Sequence, residues 1–234
     1  MPRRARKPFH IVSLKVDESG SSVHLSLDLP PCLDPPPGKW PPADVKAHVE
    51  WEVRQLQHVA TPGLVEISTG GAPAMAVDEH GEAVRCVGSP PLVVHARLSG
   101  AEDSAYYDEA GLRVRMVVDE SYPASPPTIH FMQTVHHFFL DNENGLPNIF
   151  YELLADLVAD LVDEGDAPQH TLRASLQLLY HILHSPLHPC EGCQDQFDSY
   201  AQMHAQRVST VKNYERHRAH QTLFDAAAGW QRKW

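Results

Sequence analysis

Cysteine and long apolar runs are both scarce in this chain. Its four cysteines are Cys32, Cys86, Cys190 and Cys193, and only the last two lie close together. That spacing does not predict the disulfide framework of a small secreted domain. No apolar run approaches the roughly 20 residues that span a bilayer, and the basic start leads into an alternating segment rather than the apolar block of a signal peptide. We therefore expect a cytoplasmic or nuclear protein with no membrane contact.

Net positive charge is also missing. The 234 residues carry 19 Lys and Arg against 30 Asp and Glu, which gives a formal net charge of −11. Because phosphate contacts need a concentrated basic surface, this composition argues against a nucleic-acid partner. The short basic cluster at residues 3–7 is interpreted either as a solvated tail or as a signal or contact for an acidic partner. With 42% apolar residues, the remainder has the composition of a globular protein.

The N-terminal part is predicted to be an extension followed by a linker. Residues 9–16 and 23–29 alternate apolar and polar side chains around a Gly- and Ser-bearing turn, which predicts a β-hairpin within residues 1–29. Residues 30–43 are rich in proline, which favours extended polyproline geometry and predicts a linker.

The remainder predicts an α+β fold. Asp44 has the chemistry of an N-cap, and apolar residues on one helical face predict a helix over 44–57. Strands are predicted at 63–68 and 92–98, around an insertion at 69–91 that holds its own hairpin near residues 78–81. A helix from about 149 to 161, an amphipathic helix at 171–184 capped by Thr171, and polar helices from 197 to about 225 follow. The apolar contacts of that last stretch are predicted to be Tyr200, Met203, Val208, Val211 and Tyr214. A helix, then strands, then helices is an α+β order.

The stretch from residue 111 to 132 is the most informative. Leu112, Val114, Met116 and Val118 alternate with more polar positions and predict a half-buried strand. Tyr122-Pro123 and Pro126-Pro127 then prevent the strand from continuing, because proline fixes φ and removes a backbone donor. Residues 128–132 resume the alternation with Ile129 and Phe131 facing the core. Together they predict an antiparallel hairpin with a rigid connection.

The order of elements and several motifs resemble the ubiquitin-conjugating enzyme family, over about residues 44–220. The matching features are Leu98-Ser99-Gly100 after a strand, Tyr107 to Gly111 before the next, the Tyr-Pro-Ala-Ser-Pro-Pro motif at 122–127, His137 before a Gly145 turn, and a helix ending in Ser185-Pro186. The resemblance implies an N-terminal helix, a four-stranded antiparallel meander and C-terminal helices within residues 44–225, with 226–234 as a tail. RWD domains carry a similar Tyr-Pro signature and remain an alternative.

The same resemblance implies that the chain lacks the family's catalytic residues. The family's His-Pro-Asn tripeptide corresponds to His137, Phe138 and Phe139, and its cysteine position to Asn148 or, with a slip of one residue, Pro147. An amide or a proline cannot form the thioester, so Asn142 or Asn144 in place of the missing asparagine would restore nothing. We therefore expect a catalytically inactive variant, a pseudoenzyme, that binds ubiquitin, a ubiquitin-like protein or an active conjugating enzyme. The alternatives are a divergent transferase that uses Cys190 or Cys193, and an RWD-like interaction scaffold.

Two other clusters invite a chemical interpretation. His184, His188, Cys190 and Cys193, with His181 nearby, have the ligand types of a zinc site, although surface histidines and reduced cysteines at a helix end are the simpler interpretation. His136 and His137 have the chemistry of a general base; the alternative is that one of them makes a structural hydrogen bond.

The acidic residues from Asp156 to Asp166 are interpreted as a solvated helix face, and Trp230 and Trp234 as a frayed end or a short anchor for a partner. We expect no cofactor, with zinc at the histidine and cysteine cluster as the alternative.

Overall fold

Helices and a four-stranded antiparallel sheet share one apolar core. The computed structural model describes the ranges 11–16, 23–27, 33–34, 37–38, 43–70, 75–77, 83–85, 91–141, 144–147, 150–156, 171–184 and 194–212. Side chains from the first helix, the inner face of the sheet and the later helices together form the core. The fold is therefore α+β, as the sequence predicted.

Two short hairpins lie outside the main sheet. Strands β1 (Ile11–Val16) and β2 (Val23–Leu27) pair antiparallel, as do β4 (Met75–Val77) and β5 (Ala83–Arg85). Both hairpins confirm the predictions made from alternation and turn residues. The second lies inside the predicted insertion.

The main sheet is a meander of four antiparallel strands. Its strands are β3 (Leu64–Gly70), β6 (Leu92–Leu98), β7 (Leu112–Val118) and β8 (Thr128–Phe131), in that spatial order. In β7 the residues predicted to face the core are all buried, and both Ile129 and Phe131 of β8 are buried with them. The outer face carries the polar residues of the same strands.

Helix α1 (Val45–His58) begins within one residue of its predicted start. Asp44 caps it, with its Oδ1 accepting a hydrogen bond of 3.1 Å from the backbone nitrogen of Ala47. Its apolar stripe of Val49, Val53 and Leu56 is buried against the sheet and the later helices. Burial of this stripe, more than intrinsic propensity, stabilises a helix of this length.

Helix α3 (Thr171–His184) is more deeply buried than its amphipathic sequence predicted. All of its residues except Tyr180 and His184 are buried, including Arg173 and Gln177. The reason is that the helix is covered from several sides. Its first turn contacts α1, and the carbonyls of its last turn accept hydrogen bonds from other segments. Thr171, predicted as the cap, is the first helical residue, and its hydroxyl donates to the carbonyl oxygen of Pro123 at 2.9 Å.

Two further helical stretches are described, α2 at 150–156 and α4 at 194–212. The predicted apolar contacts of α4 are corrected by the structure. Tyr200, Met203 and Val211 are exposed by 38%, 42% and 47%, whereas Phe197 and His204 are the buried residues. Val208 is half-buried and Tyr214 lies outside the described residues. The sequence pattern missed this face because one of its two anchors is a histidine.

No helix in the described part of the chain is long and apolar enough to cross a bilayer.

Candidate functional site

Residues 132–141 and 144–147, which follow β8, form a loop segment closed by its own hydrogen bonds. Asn144 has a positive φ of 58°, a conformation that asparagine tolerates better than most residues. The carbonyl oxygen of Asn144 accepts a hydrogen bond of 3.0 Å from the backbone nitrogen of Phe131. Its side-chain Oδ1 lies 3.5 Å from the backbone nitrogen of Val135. Gly145 forms a bridge with His130, and its nitrogen donates to Asp141 Oδ1 at 2.8 Å. The loop is thereby fixed against the end of the sheet.

His137 is a buried structural residue of this loop. Its Nε2 lies 2.9 Å from the carbonyl oxygen of Ile182, and its Nδ1 accepts from the backbone nitrogen of Phe139 at 3.0 Å. Because Nδ1 is the acceptor, Nε2 carries the proton and the ring is neutral. Burial lowers the pKa of His137 to about 4, with His204 acting in the same direction and the bond to Ile182 opposing it. A ring satisfied at both nitrogens has no free lone pair for general-base work.

The two phenylalanines that follow have different environments. Phe139 is buried, and its ring lies 5.8 Å from that of His137. Phe138 is only half-buried, and its ring lies 6.3 Å from that of Tyr200 on α4. Phe138 and Tyr200 therefore form a partly exposed aromatic edge where the loop meets α4.

The positions implied for a catalytic cysteine are only partly described. Pro147 lies at the end of the described loop and is half-buried, while Asn142 and Asn148 lie outside the described residues. Asn144 uses its side chain within the loop, as given above. In sequence, no cysteine lies between Cys86 and Cys190, so the loop and the elements around it contain no thiol of their own.

A shallow groove of about 440 Å³ lies beside this loop. It is lined by Arg115, His130, Phe131, Met132, Gln133, Thr134 and Asn144. Met132 is 46% exposed on its wall. A groove with one arginine, one histidine and amide or hydroxyl groups can bind a peptide or an anion, and it contains neither a thiol nor a carboxylate.

The Tyr-Pro motif lies over a buried polar cluster. The hydroxyl of Tyr122 donates to Glu52 Oε1, and the backbone nitrogen of Leu172 donates to Glu52 Oε2 at 3.0 Å. His48 Nε2 lies 3.3 Å from Oε1, although the approach is outside hydrogen-bond geometry. Burial raises the pKa of the Glu52 carboxyl, opposed by His48 and Tyr122, and burial beside Glu52 raises the pKa of Tyr122. The cluster joins α1, the Tyr-Pro segment and α3.

The prolines of the motif are partly or fully buried. The Tyr122–Pro123 peptide bond is cis, Pro123 and Pro127 are buried, and Pro126 is half-buried. Sequence reasoning identified the four motif residues but missed Glu52 and His48 beneath them. Glu52 could have been identified from the sequence, because it is a carboxylate on the apolar side of a helix, between Val49 and Val53.

A second cluster joins the loop to α4 through Tyr106. The hydroxyl of Tyr106 donates to the carbonyl oxygen of His136 at 2.8 Å. The ring of Tyr106 stacks on that of His204, with 4.9 Å between the ring centroids. The ring of His137 meets it edge-on at 5.0 Å. Burial lowers the pKa of His204 to about 4, helped by His136 and Arg207. Sequence reasoning missed both Tyr106 and His204, because neither belongs to an apolar repeat.

The zinc prediction concerns residues that are mostly not described. Across the described ranges, no three His, Cys, Asp or Glu side chains are close enough to hold a metal ion. His184 Nδ1 lies 3.8 Å from Asp103, and His181 is buried with its pKa lowered by burial and by His184. His188, Cys190 and Cys193 lie outside the described residues. Zinc binding stays a prediction.

No known protein-family model matches this chain, and no curated protein shows significant similarity to it. The order of elements and the chemistry of the loop, the groove and the sheet are therefore the features that bear on function. Fold alone does not assign function, so each step needs its own experiment.

Proposed function

We propose that this chain is a catalytically inactive relative of the ubiquitin-conjugating enzymes. In this proposal it binds ubiquitin, a ubiquitin-like protein or an active conjugating enzyme, and contributes positioning while the partner performs the chemistry.

The order of elements supports the relationship. Helix α1, the meander of β3, β6, β7 and β8, the Tyr-Pro connection, the closed loop and the later helices follow one another as the resemblance implies. Glu52 and His137 fix the Tyr-Pro segment and the loop to the same core. This agreement in order and connection supports the family proposal, which sequence comparison leaves open.

The absence of a thiol from the loop carries the inactive part of the proposal. Ubiquitin transfer requires a cysteine thiolate that accepts the carboxyl terminus as a thioester. The segment from residue 87 to 189 contains no cysteine, and His137 is committed to two internal hydrogen bonds. A rigid loop without a nucleophile is better suited to presenting a surface than to acyl transfer.

A thioester-charging assay tests this part directly. The chain is incubated with activating enzyme, ATP and ubiquitin, and the products are separated without reductant. We expect no thiol-sensitive adduct, and the same result for a Cys190→Ala/Cys193→Ala double variant. An adduct formed by the wild-type chain and lost in that variant would identify a divergent transferase and contradict the proposal.

A binding experiment tests the other part. Isotope-labelled ubiquitin is titrated with the unlabelled chain, alone and with an active conjugating enzyme, and chemical-shift changes are followed. We expect saturable shifts in at least one mixture. If neither mixture nor a ubiquitin-like protein gave shifts, the ubiquitin-pathway assignment would fail, and an RWD-like scaffold would become the better description.

A further inference from the structure

The outer face of the sheet places basic side chains directly opposite one another. Arg97 on β6 is the register partner of Arg113 on β7. One step along the same face, Arg115 is the partner of His95 on β6 and of His130 on β8. Three arginines and two histidines therefore form two adjacent rows, which we call the arginine face.

This arrangement is unusual for a chain with a net charge of −11. Like charges directly opposite on neighbouring strands destabilise a sheet. Arg97 is neutralised, because Glu66 on β3 accepts from its Nε at 2.8 Å and from its Nη2. Among the described residues, no carboxylate lies within ion-pair distance of Arg113 or Arg115. The Nε of Arg115 is also buried without a hydrogen-bond partner.

The face is held in place by its surroundings. A Cβ at Gly111, whose φ is +76°, would lie 2.8 Å from the Cβ of Arg97, so glycine leaves room for that side chain. Gln133 Oε1 accepts from the backbone nitrogen of Arg113 at 3.2 Å and lies 3.5 Å from its Nε. Arg115 and His130 continue into the groove beside the loop. Arg97 and Arg113 are thus each hydrogen-bonded by a neighbouring side chain, Glu66 and Gln133 respectively.

We propose that the arginine face binds an extended acidic protein segment. In an extended chain every second side chain points the same way, about 6.8 Å apart, which equals the separation of Arg113 and Arg115 along β7. Carboxylates at alternate positions would therefore lie over these two arginines. Arginine binds a carboxylate through two parallel hydrogen bonds, which a lysine cannot reproduce. Exposed Met132 offers an apolar contact beside them.

The charge pattern favours protein over nucleic acid as the partner. Five basic side chains on a small area of a strongly acidic chain provide local complementarity without the broad positive surface that binding to phosphate chains needs. The inference depends on strand register and charge alone, so it stands or falls separately from the ubiquitin-pathway proposal. A charging assay or a ubiquitin titration can fail without affecting it.

Fluorescence anisotropy with a defined peptide tests the proposal. The probe is a labelled peptide of about ten residues that alternates Glu and Ser, titrated with the full chain at about 50 mM salt, where surface charges are weakly screened. We expect Arg113→Gln/Arg115→Gln to weaken binding at least roughly tenfold. Arg113→Lys/Arg115→Lys should give an intermediate loss, because the charge stays but the paired hydrogen bonds do not.

Arg54→Gln is the control, because Arg54 is exposed on α1 and does not belong to the arginine face. It should leave affinity unchanged within about twofold, because Arg54 makes none of the paired hydrogen bonds to peptide carboxylates that the proposal assigns to Arg113 and Arg115. Thermal unfolding checks that the double variant is folded, which we expect because it removes opposed like charges. Should it not fold, the single variants are measured separately, each with an expected loss of about threefold.

Three results would overturn the proposal. The first is no binding of the Glu-Ser peptide, and the second is equal binding by the Arg113→Gln/Arg115→Gln and Arg54→Gln variants. The third is an oligothymidylate of similar length that binds as tightly as the peptide, which would make the face a general polyanion site.

Discussion

At the scale of single residues, Glu52 shows how one buried carboxylate connects distant parts of the chain. It accepts hydrogen bonds from the side chain of Tyr122 and the backbone of Leu172, which are 70 and 120 positions away in sequence. A carboxylate has capacity for both bonds at once, which few other side chains of this size can provide. Its role is structural, because it fixes the Tyr-Pro segment against α1 and α3.

Replacing Glu52 with alanine should lower the free energy of unfolding by about 2–4 kcal/mol. The substitution leaves a buried donor without an acceptor and opens a cavity. Urea unfolding measures the change. Glu50→Ala on the same helix is the control, because Glu50 is exposed and its pair with Lys46 at 4.0 Å should contribute under about 0.5 kcal/mol. Equal losses for the two variants would show that the buried cluster does not stabilise the fold.

At the scale of elements, the turn from α1 into β3 is packed closely against its neighbours. Gly63 has a φ of +66°, and its carbonyl accepts from the backbone nitrogen of Ser99 at 2.7 Å. A Cβ at this position would collide with the carbonyl oxygen of Ser99 and lie 2.5 Å from Cδ2 of Tyr180 on α3. The turn before β3, the residue after β6 and helix α3 can therefore approach one another this closely only because residue 63 has no side chain.

Gly63→Ala should destabilise the protein by more than about 2 kcal/mol, through backbone strain and steric overlap together. Gly38→Ala separates the two causes. Gly38 has a similar φ of +80° with nothing within 4 Å of its added Cβ, so only strain, about 1 kcal/mol, should remain. Thermal unfolding of both variants measures the difference. A Gly63→Ala variant no less stable than Gly38→Ala would mean that the junction relaxes freely.

At the scale of the whole molecule, acid stability should depend on the buried histidines. His137 has a pKa of about 4 when folded against an ordinary value of 6.5, so the unfolded chain binds its proton first as the pH falls. Stability from His137 is complete above about pH 6.5, declines as the pH falls, and levels off below about 4. The difference corresponds to roughly 3 kcal/mol, at about 1.4 kcal/mol per tenfold change in proton affinity. His204 acts in the same direction, and Glu52, whose pKa is raised, acts in the opposite one.

His137→Gln should therefore reduce the slope of stability against pH between about 6.5 and 4, whatever its effect at neutral pH. Urea unfolding at several pH values gives the slope. His58→Gln, at the exposed end of α1, serves as the control and should follow the wild-type curve. An unchanged slope in His137→Gln would contradict the assignment of a buried neutral ring.

The sequence alone predicted much of the local structure of this molecule. The main-sheet strands, both hairpins and α1 were predicted close to their observed bounds, because alternation, turn residues and caps act over a few neighbouring positions. It also predicted a structural hydrogen bond from either His136 or His137, and the structure assigns that role to His137. The sequence could not find Glu52, Tyr106 or His204, since each is defined by partners far away in the chain.

Tertiary structure decided the remainder. The burial of α3 on nearly every side, the exposure of Tyr200 and Met203, and the opposition of Arg97 to Arg113 all depend on which elements pack together and in which register. Periodicity tells which side chains share a face of one element, whereas packing tells what that face meets. The physical reason is that periodicity depends on residues close together in the sequence, whereas burial and strand pairing depend on how distant segments assemble into the core.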